Sequence, residues 1–95
     1  MGRRVLLVSG SGPEAGDEIA ALDPAIELEH APSMDAAVGR LSDGGYDLIV
    51  SDEEIGGART GLFLRHLCQR RFPSIPFVLR SASAVGWLER LKRLL

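Results

Sequence analysis

Ninety-five residues are enough for one domain, 1–95, which should bury roughly two-thirds of the surface its unfolded chain exposes. Apolar residues make up 45% of the chain and charged residues 25%, and no apolar run approaches the roughly 18 residues of a membrane span, so membrane-spanning and disordered classes are excluded and a globular chain is expected. The net charge of −2 hides an asymmetry: residues 1–54 carry twelve acids against Arg3, Arg4 and Arg40, a net −9, whereas residues 55–95 carry eight bases against Glu89, a net +7. In an interleaved fold such halves can simply pair with each other, and that reading is preferred to a nucleic-acid surface.

In chain order, strands and helices alternate. Val5 to Val8 is an unbroken apolar run and reads as a buried strand, too short for the hydrophobic region of a signal peptide. A cytoplasmic location is expected. The run enters Ser9-Gly10-Ser11-Gly12, and Pro13 suits the first position of a helix whose Glu14, Asp17 and Glu18 favour its N-terminal end and whose Ile19 and Leu22 supply an apolar side. Asp23-Pro24 stops it. "AIELEH", residues 25–30, alternates as an edge strand does. Ser33 can cap a helix with Met34, Ala37, Val38 and Leu41 on one face, ended by Asp43-Gly44-Gly45.

"YDLIVSD", residues 46–52, contains the uninterrupted Leu48-Ile49-Val50 of a central strand covered on both faces. After the loop "EEIGGART", the stretch "GLFLRHLCQRRF" predicts a helix that buries Leu64, Leu67 and Cys68 and exposes Arg65, Gln69 and Arg70. "IPFVLRSAS" predicts the fourth strand. Ser83 can cap a last helix carrying Trp87, Leu88, Leu91 and Leu95 at helical spacing. Alternation of this kind predicts a parallel sheet with right-handed crossovers and helices on both faces, and it directs ligands to the carboxyl ends of the strands.

"YDLIVSD", with "EHAPSMDAAVGRL" before it and "IPFVLRSA" after it, resembles the receiver domain of two-component response regulators over most of the chain. The resemblance implies a four-stranded parallel sheet of order 2-1-3-4 in a three-layer, flavodoxin-like α/β fold without the family's fifth strand. It places Asp52 at the phosphoacceptor position and Ser81 at the hydroxyl position after the fourth strand. Three departures bear on chemistry. Ser9, Gly10 and Ser11 stand where the family has two adjacent acids that help hold Mg²⁺, the loop after Asp52 lacks the family's proline, and the fifth strand with its lysine has no counterpart.

Phosphoryl transfer to a carboxylate brings negative charges together and depends on a hard cation and fixed positive groups. Serine hydroxyls replace two lost carboxylates poorly, leaving Asp52 and Glu54, or Glu53, as the only nearby carboxylates for residual metal binding. The expected function is therefore a pseudo-receiver signalling module, in the setting of two-component signalling and its phosphorelay, that binds a protein partner without being phosphorylated itself, with no catalytic residue and no cofactor. The alternative is a working phosphoacceptor in which Asp52 is phosphorylated at an atypical Mg²⁺ site. A third account of Asp52 is a strand-end acid held by an arginine, with Arg59 and Arg80 the nearest in sequence.

Other readings weaken on inspection. Gly10, Gly12 and Gly16 miss the dinucleotide fingerprint by one residue, and no P-loop lysine follows. The phosphocarrier domain of sugar phosphotransferase systems begins similarly, but its phosphorylated cysteine would fall at Ser9. His30 and His66 read as surface residues and Cys68 as core, without metal-ligand spacing. Arg65, Arg70, Arg71, Arg90, Lys92 and Arg93 lack interleaved aromatics, so nucleic acid is not expected as a partner. Without a fifth strand, the fourth becomes an edge. Ile75, Phe77, Trp87, Leu88, Leu91 and Leu94 are then the expected association surface, for a homodimer or a protein partner.

Overall fold

The protein is described by a computed structural model over residues 3–10, 14–55, 60–80 and 86–95, with the backbone alone at residues 14 and 15. Four strands, β1 (Arg3–Val8), β2 (Ile26–Ala31), β3 (Leu48–Asp52) and β4 (Phe77–Arg80), form one parallel sheet of order β2-β1-β3-β4. They alternate with α1 (Glu14–Ala20), α2 (Met34–Asp43), α3 (Thr60–Arg71) and α4 (Trp87–Leu94). This is the expected α/β topology. Among the described residues no helix is long and apolar enough to cross a membrane.

Two cores sandwich the sheet. On one face Leu6, Val8 and Ile49 pack with Ala37 and Leu41 of α2 and Leu64 and Cys68 of α3. On the other, Val5, Leu7, Leu48, Val50 and Val78 pack with Ile19 of α1 and Leu91 of α4. Successive strand side chains point to opposite faces, so a continuous apolar run such as Leu48-Ile49-Val50 feeds both cores at once, and β3 is buried throughout. Each fully buried leucine contributes about 2 kcal/mol of transfer free energy.

Local chemistry sets the boundaries. Ser33 caps α2, its hydroxyl accepting from the Ala36 amide at 3.1 Å, a bond worth about 1 kcal/mol. Gly44 and Gly45, at φ of 78° and 88°, turn the chain from α2 into β3 through a region that side chains with a Cβ disfavour. At α4 the described helix begins at Trp87, with Gly86 as its N-cap and no side-chain capping bond. Ser83, expected as its cap, lies outside the described residues. On α3, Leu64 and Cys68 are buried and Leu67 half-buried, but Arg65 is half-buried rather than exposed and its Nε is enclosed without a hydrogen-bond partner.

The expected association surface also divides. Leu91 is fully buried in its own chain's core and cannot serve as a contact residue. Ile75 and Phe77 pack against the α2/α3 core, whereas Trp87 and Leu88 pack against the α1/α4 core. Leu94 alone of the six is exposed, and β4 does form an edge of the sheet. The β-strand alternation that sends Phe77 and Val78 to opposite faces separates the two groups.

Candidate functional site

The carboxyl ends of the four strands carry a row of polar side chains. Asp52 closes β3 and is 8% exposed, so a carboxylate there needs partners. It has two. Parallel pairing sets Asp52 opposite Arg80, the last residue of β4, and an Arg80 guanidinium nitrogen lies 2.7 Å from Asp52 Oδ1. Ser9, the residue after β1, is 1% exposed and its hydroxyl donates to Asp52 Oδ2 at 2.7 Å.

Backbone bonds fix the row at both flanks. The Ser9 amide donates to the Ala31 carbonyl at 3.1 Å, and His30 on β2 donates from Nε2 to the Ser9 carbonyl at 2.7 Å. A carbonyl oxygen only accepts, so this bond places the proton on Nε2. The Glu53 amide donates to the Arg80 carbonyl at 3.0 Å, and the Gly61 amide to the Glu53 carbonyl at 3.0 Å. Gly61 is required by this approach: a Cβ there would lie 2.1 Å from the Asp52 carbonyl oxygen. Arg80 also lies over the Trp87 ring, 5.5 Å from its centroid, which ties the row to the first turn of α4. His30, Ser9, Asp52 and Arg80 thus cross the sheet in strand order.

Of the residues expected at the site, Asp52 takes its place at the end of β3, and Arg80, one of two arginines considered, holds it. Arg59, the other, lies outside the described residues, as do Ser81, Ser11, Gly12 and Pro13. Glu54 is exposed, while Asp52 is buried. His30 departs from expectation, since it is half-buried and bonded rather than a plain surface residue. Its sequence signal is slight: a polar residue one position before the buried end of an edge strand. Trp87 is expected on the last helix and at the association surface, and nothing local in the sequence marks it as a neighbour of Arg80.

Other titratable groups lie apart from this row. Burial pushes the Cys68 thiol up to about 11, which keeps it protonated and unreactive near neutral pH. Glu29 is held below the usual carboxylate range by hydrogen bonds from Tyr46 and Arg4, whose guanidinium nitrogen is 2.6 Å away. Arg4 also donates its backbone amide to Asp47 and lies over the Tyr46 ring at 4.7 Å. Burial pushes the Tyr46 hydroxyl above its ordinary value, with Glu29 adding to the effect.

Comparison with known proteins places this geometry in a fold. No family model matches the chain, and no curated protein matches it in sequence. Solved structures do. The non-phosphorylated HemR receiver domain of Leptospira biflexa superposes with a TM-score of 0.70 at 24% identity, over 97% of this chain and 75% of that one. The signal receiver domain of an HD domain-containing protein from Pseudomonas fluorescens gives 0.71 at 18% identity, over 94% of this chain and 65% of that one. A signal receiver domain from Vibrio parahaemolyticus gives 0.70 at 15% identity, over 99% and 73%. The chain therefore has a receiver-like fold.

A divalent cation of the kind a working receiver uses fits this donor set badly. Mg²⁺ needs several oxygen ligands in near-octahedral array, usually including carboxylates. Here Asp52, the one buried carboxylate among the described residues, already has both oxygens engaged, one of them by a guanidinium whose positive charge would repel the metal. Among the described residues no group of three His, Cys, Asp or Glu side chains is placed to hold a metal ion.

Proposed function

We propose that the protein is a pseudo-receiver: a signalling module that keeps the receiver scaffold, holds its phosphoacceptor-position aspartate in a fixed ion pair, and acts by binding a protein partner. The fold supports the signalling class, since its solved neighbours are receiver domains. The observation that carries the reading is the double engagement of Asp52, by Arg80 at Oδ1 and Ser9 at Oδ2. A carboxylate must offer a free oxygen to attack phosphorus, and a cation must neutralise the oxygens in transfer. Arg80 supplies a positive charge to the carboxylate itself, which makes the acid comfortable where it is and a poorer nucleophile. Phosphorylation would have to break this pair before any switch could follow.

Beryllofluoride with Mg²⁺ mimics an aspartyl phosphate and provides the test. Amide resonances of residues 50–54 and 78–81 are expected to stay in place at millimolar Mg²⁺ and excess beryllofluoride. Saturable shifts at both segments would establish a working phosphoacceptor instead.

A further inference from the structure

The solvent-facing side of α3 carries more apolar surface than a solvated helix needs. Phe63 is 60% exposed and Leu62 39%, and Leu94 on α4 is the third exposed large apolar residue among those described. Phe63, His66, Leu67, Arg70 and Arg71 line a shallow depression of about 440 Å³ along this helix. They recur at the three- and four-residue spacing of one helix face, which flanks the stripe of Leu64 and Cys68 that α3 buries. An aromatic ring at one end and two arginines at the other make the depression apolar and cationic.

Its charge is not answered within the chain. Arg70 and Arg71 are exposed and in no ion pair among the described residues, and residues 55–95 hold Glu89 as their single acid. That acid is on α4, where it pairs with Lys92 at 3.3 Å. A second copy fits poorly. Among the described residues the exposed large apolar side chain off α3 is Leu94, and it follows Arg90 and Arg93 on α4, so a second copy would set bases against Arg70 and Arg71. Nucleic acid also fits poorly, because α3 and α4 pack on opposite faces of the sheet and their bases form no continuous track for phosphates.

We infer that the outer face of α3 docks an acidic amphipathic segment of a different protein, with an apolar side chain against Phe63 and Leu67 and carboxylates against Arg70 and Arg71. This rests on the binding-module reading above and names the chemistry of its partner. The apolar contact supplies affinity, and the arginines supply orientation and discrimination.

Two synthetic amphipathic helices of about four turns test it, identical in their leucine face and flanked by glutamate in one and lysine in the other. They are titrated into the isotope-labelled full chain, with random-sequence duplex DNA as a third probe. The glutamate peptide is expected to give saturable shifts confined to residues 62–71. Its affinity should fall about tenfold in Phe63→Ala and again in Arg70→Glu/Arg71→Glu, with unchanged amide dispersion, while Lys92→Glu on the opposite face leaves it unaltered. Equal binding of the lysine peptide, shifts centred on β4 or α4, absence of saturable shifts, or saturable DNA binding through α3 would each overturn the assignment. Beryllofluoride separates the two failures. If it leaves the domain unmoved while the peptide fails, only the α3 surface falls; if it shifts residues 50–54, the underlying pseudo-receiver reading falls whatever the peptide does.

Discussion

Two arginine–carboxylate pairs sit on the same sheet at nearly the same distance and in different surroundings. Arg80–Asp52 spans 2.7 Å with side chains 29% and 11% exposed, whereas Arg4–Glu29 spans 2.6 Å with side chains 39% and 34% exposed. Contact distance alone would rank them equal. Burial separates them, because water already solvates Glu29 and screens its charge, while Asp52 has exchanged water for Arg80 and Ser9 and depends on both. The first pair is a structural commitment and the second is an accessory to one.

Gly61→Ala is expected to produce the largest effect at the buried end. Its Cβ would meet the Asp52 carbonyl oxygen at 2.1 Å and Glu53 Cα at 2.8 Å, both backbone atoms that cannot rotate away. A loss of more than about 3 kcal/mol in denaturant unfolding is expected. The matching change near the exposed pair is Gly45→Ala. There the φ of 88° and a Cβ 2.6 Å from Arg4 Nη1 add strain, but Arg4 is a flexible side chain and can move, so about 1–2 kcal/mol is expected. Comparable losses in the two variants would erase the distinction.

Arg80→Met comes next. It leaves Asp52 buried with the Ser9 hydroxyl alone, and a cost of about 2–3 kcal/mol is expected, reduced from the fully buried case by the partial exposure of Arg80. Adding Asp52→Asn to Arg80→Met should recover part of that loss, since the stranded charge is gone. A double variant no more stable than Arg80→Met would show that the pair's charge is not what matters. Glu29→Gln, by contrast, should change stability little, and the change should vanish near 1 M salt, where the Debye length is about 3 Å. Because Glu29 titrates below its ordinary value of 4.5, its contribution is present at neutral pH and lost as pH falls through that lowered value. Pulse unfolding at pH 7 and pH 3 in both proteins reads this directly.

The smallest signal is also the most local. Cys68 is 1% exposed with its thiol pushed up to about 11, so thiol reagents should modify it only when the α2/α3 face opens. At neutral pH Arg80→Met should speed that modification and Glu29→Gln should leave it unchanged. Stability that depends on the protonated thiol is complete below pH 9 and is lost as pH rises from there towards 11.

Much of this architecture is legible in the sequence because it rests on short-range signals. Ser33 three residues before Ala36, the paired glycines after Asp43, and Leu48-Ile49-Val50 each announce their roles within a few positions. The site is less legible, because its geometry comes from register. Arg59 and Arg80 are equally plausible partners for Asp52 on paper, and the pairing of β3 with β4 puts Arg80 opposite it across 28 residues. His30 reaches Ser9 through the β1/β2 register in the same way. The association surface misleads for a related reason: the apolar residues of β4 and α4 look like one surplus in the sequence, yet alternation along the strand sends them to two cores and uses Leu91 entirely. Charge asymmetry is half-resolved. Asp52–Arg80 joins the acidic and basic halves, but Arg70 and Arg71 stay outside such pairs.

The polar row across the strand ends has a temporal meaning as well as a spatial one. β1 comes first in the chain but lies between β2 and β3, so Ser9 waits 43 residues for Asp52, which waits a further 28 for Arg80. A chain emerging from the ribosome presents its acidic half, net −9, before the bases that follow. Asp52 then spends the interval as an uncompensated charge at the mouth of a half-built sheet, and β4 acts as a latch. A pair closed after the rest of the sheet would be absent from the folding transition state, and Arg80→Met is then expected to accelerate unfolding while leaving the folding rate nearly unchanged in a stopped-flow denaturant series. The residue that pairs with Asp52 is thereby also expected to set how long the folded domain lasts.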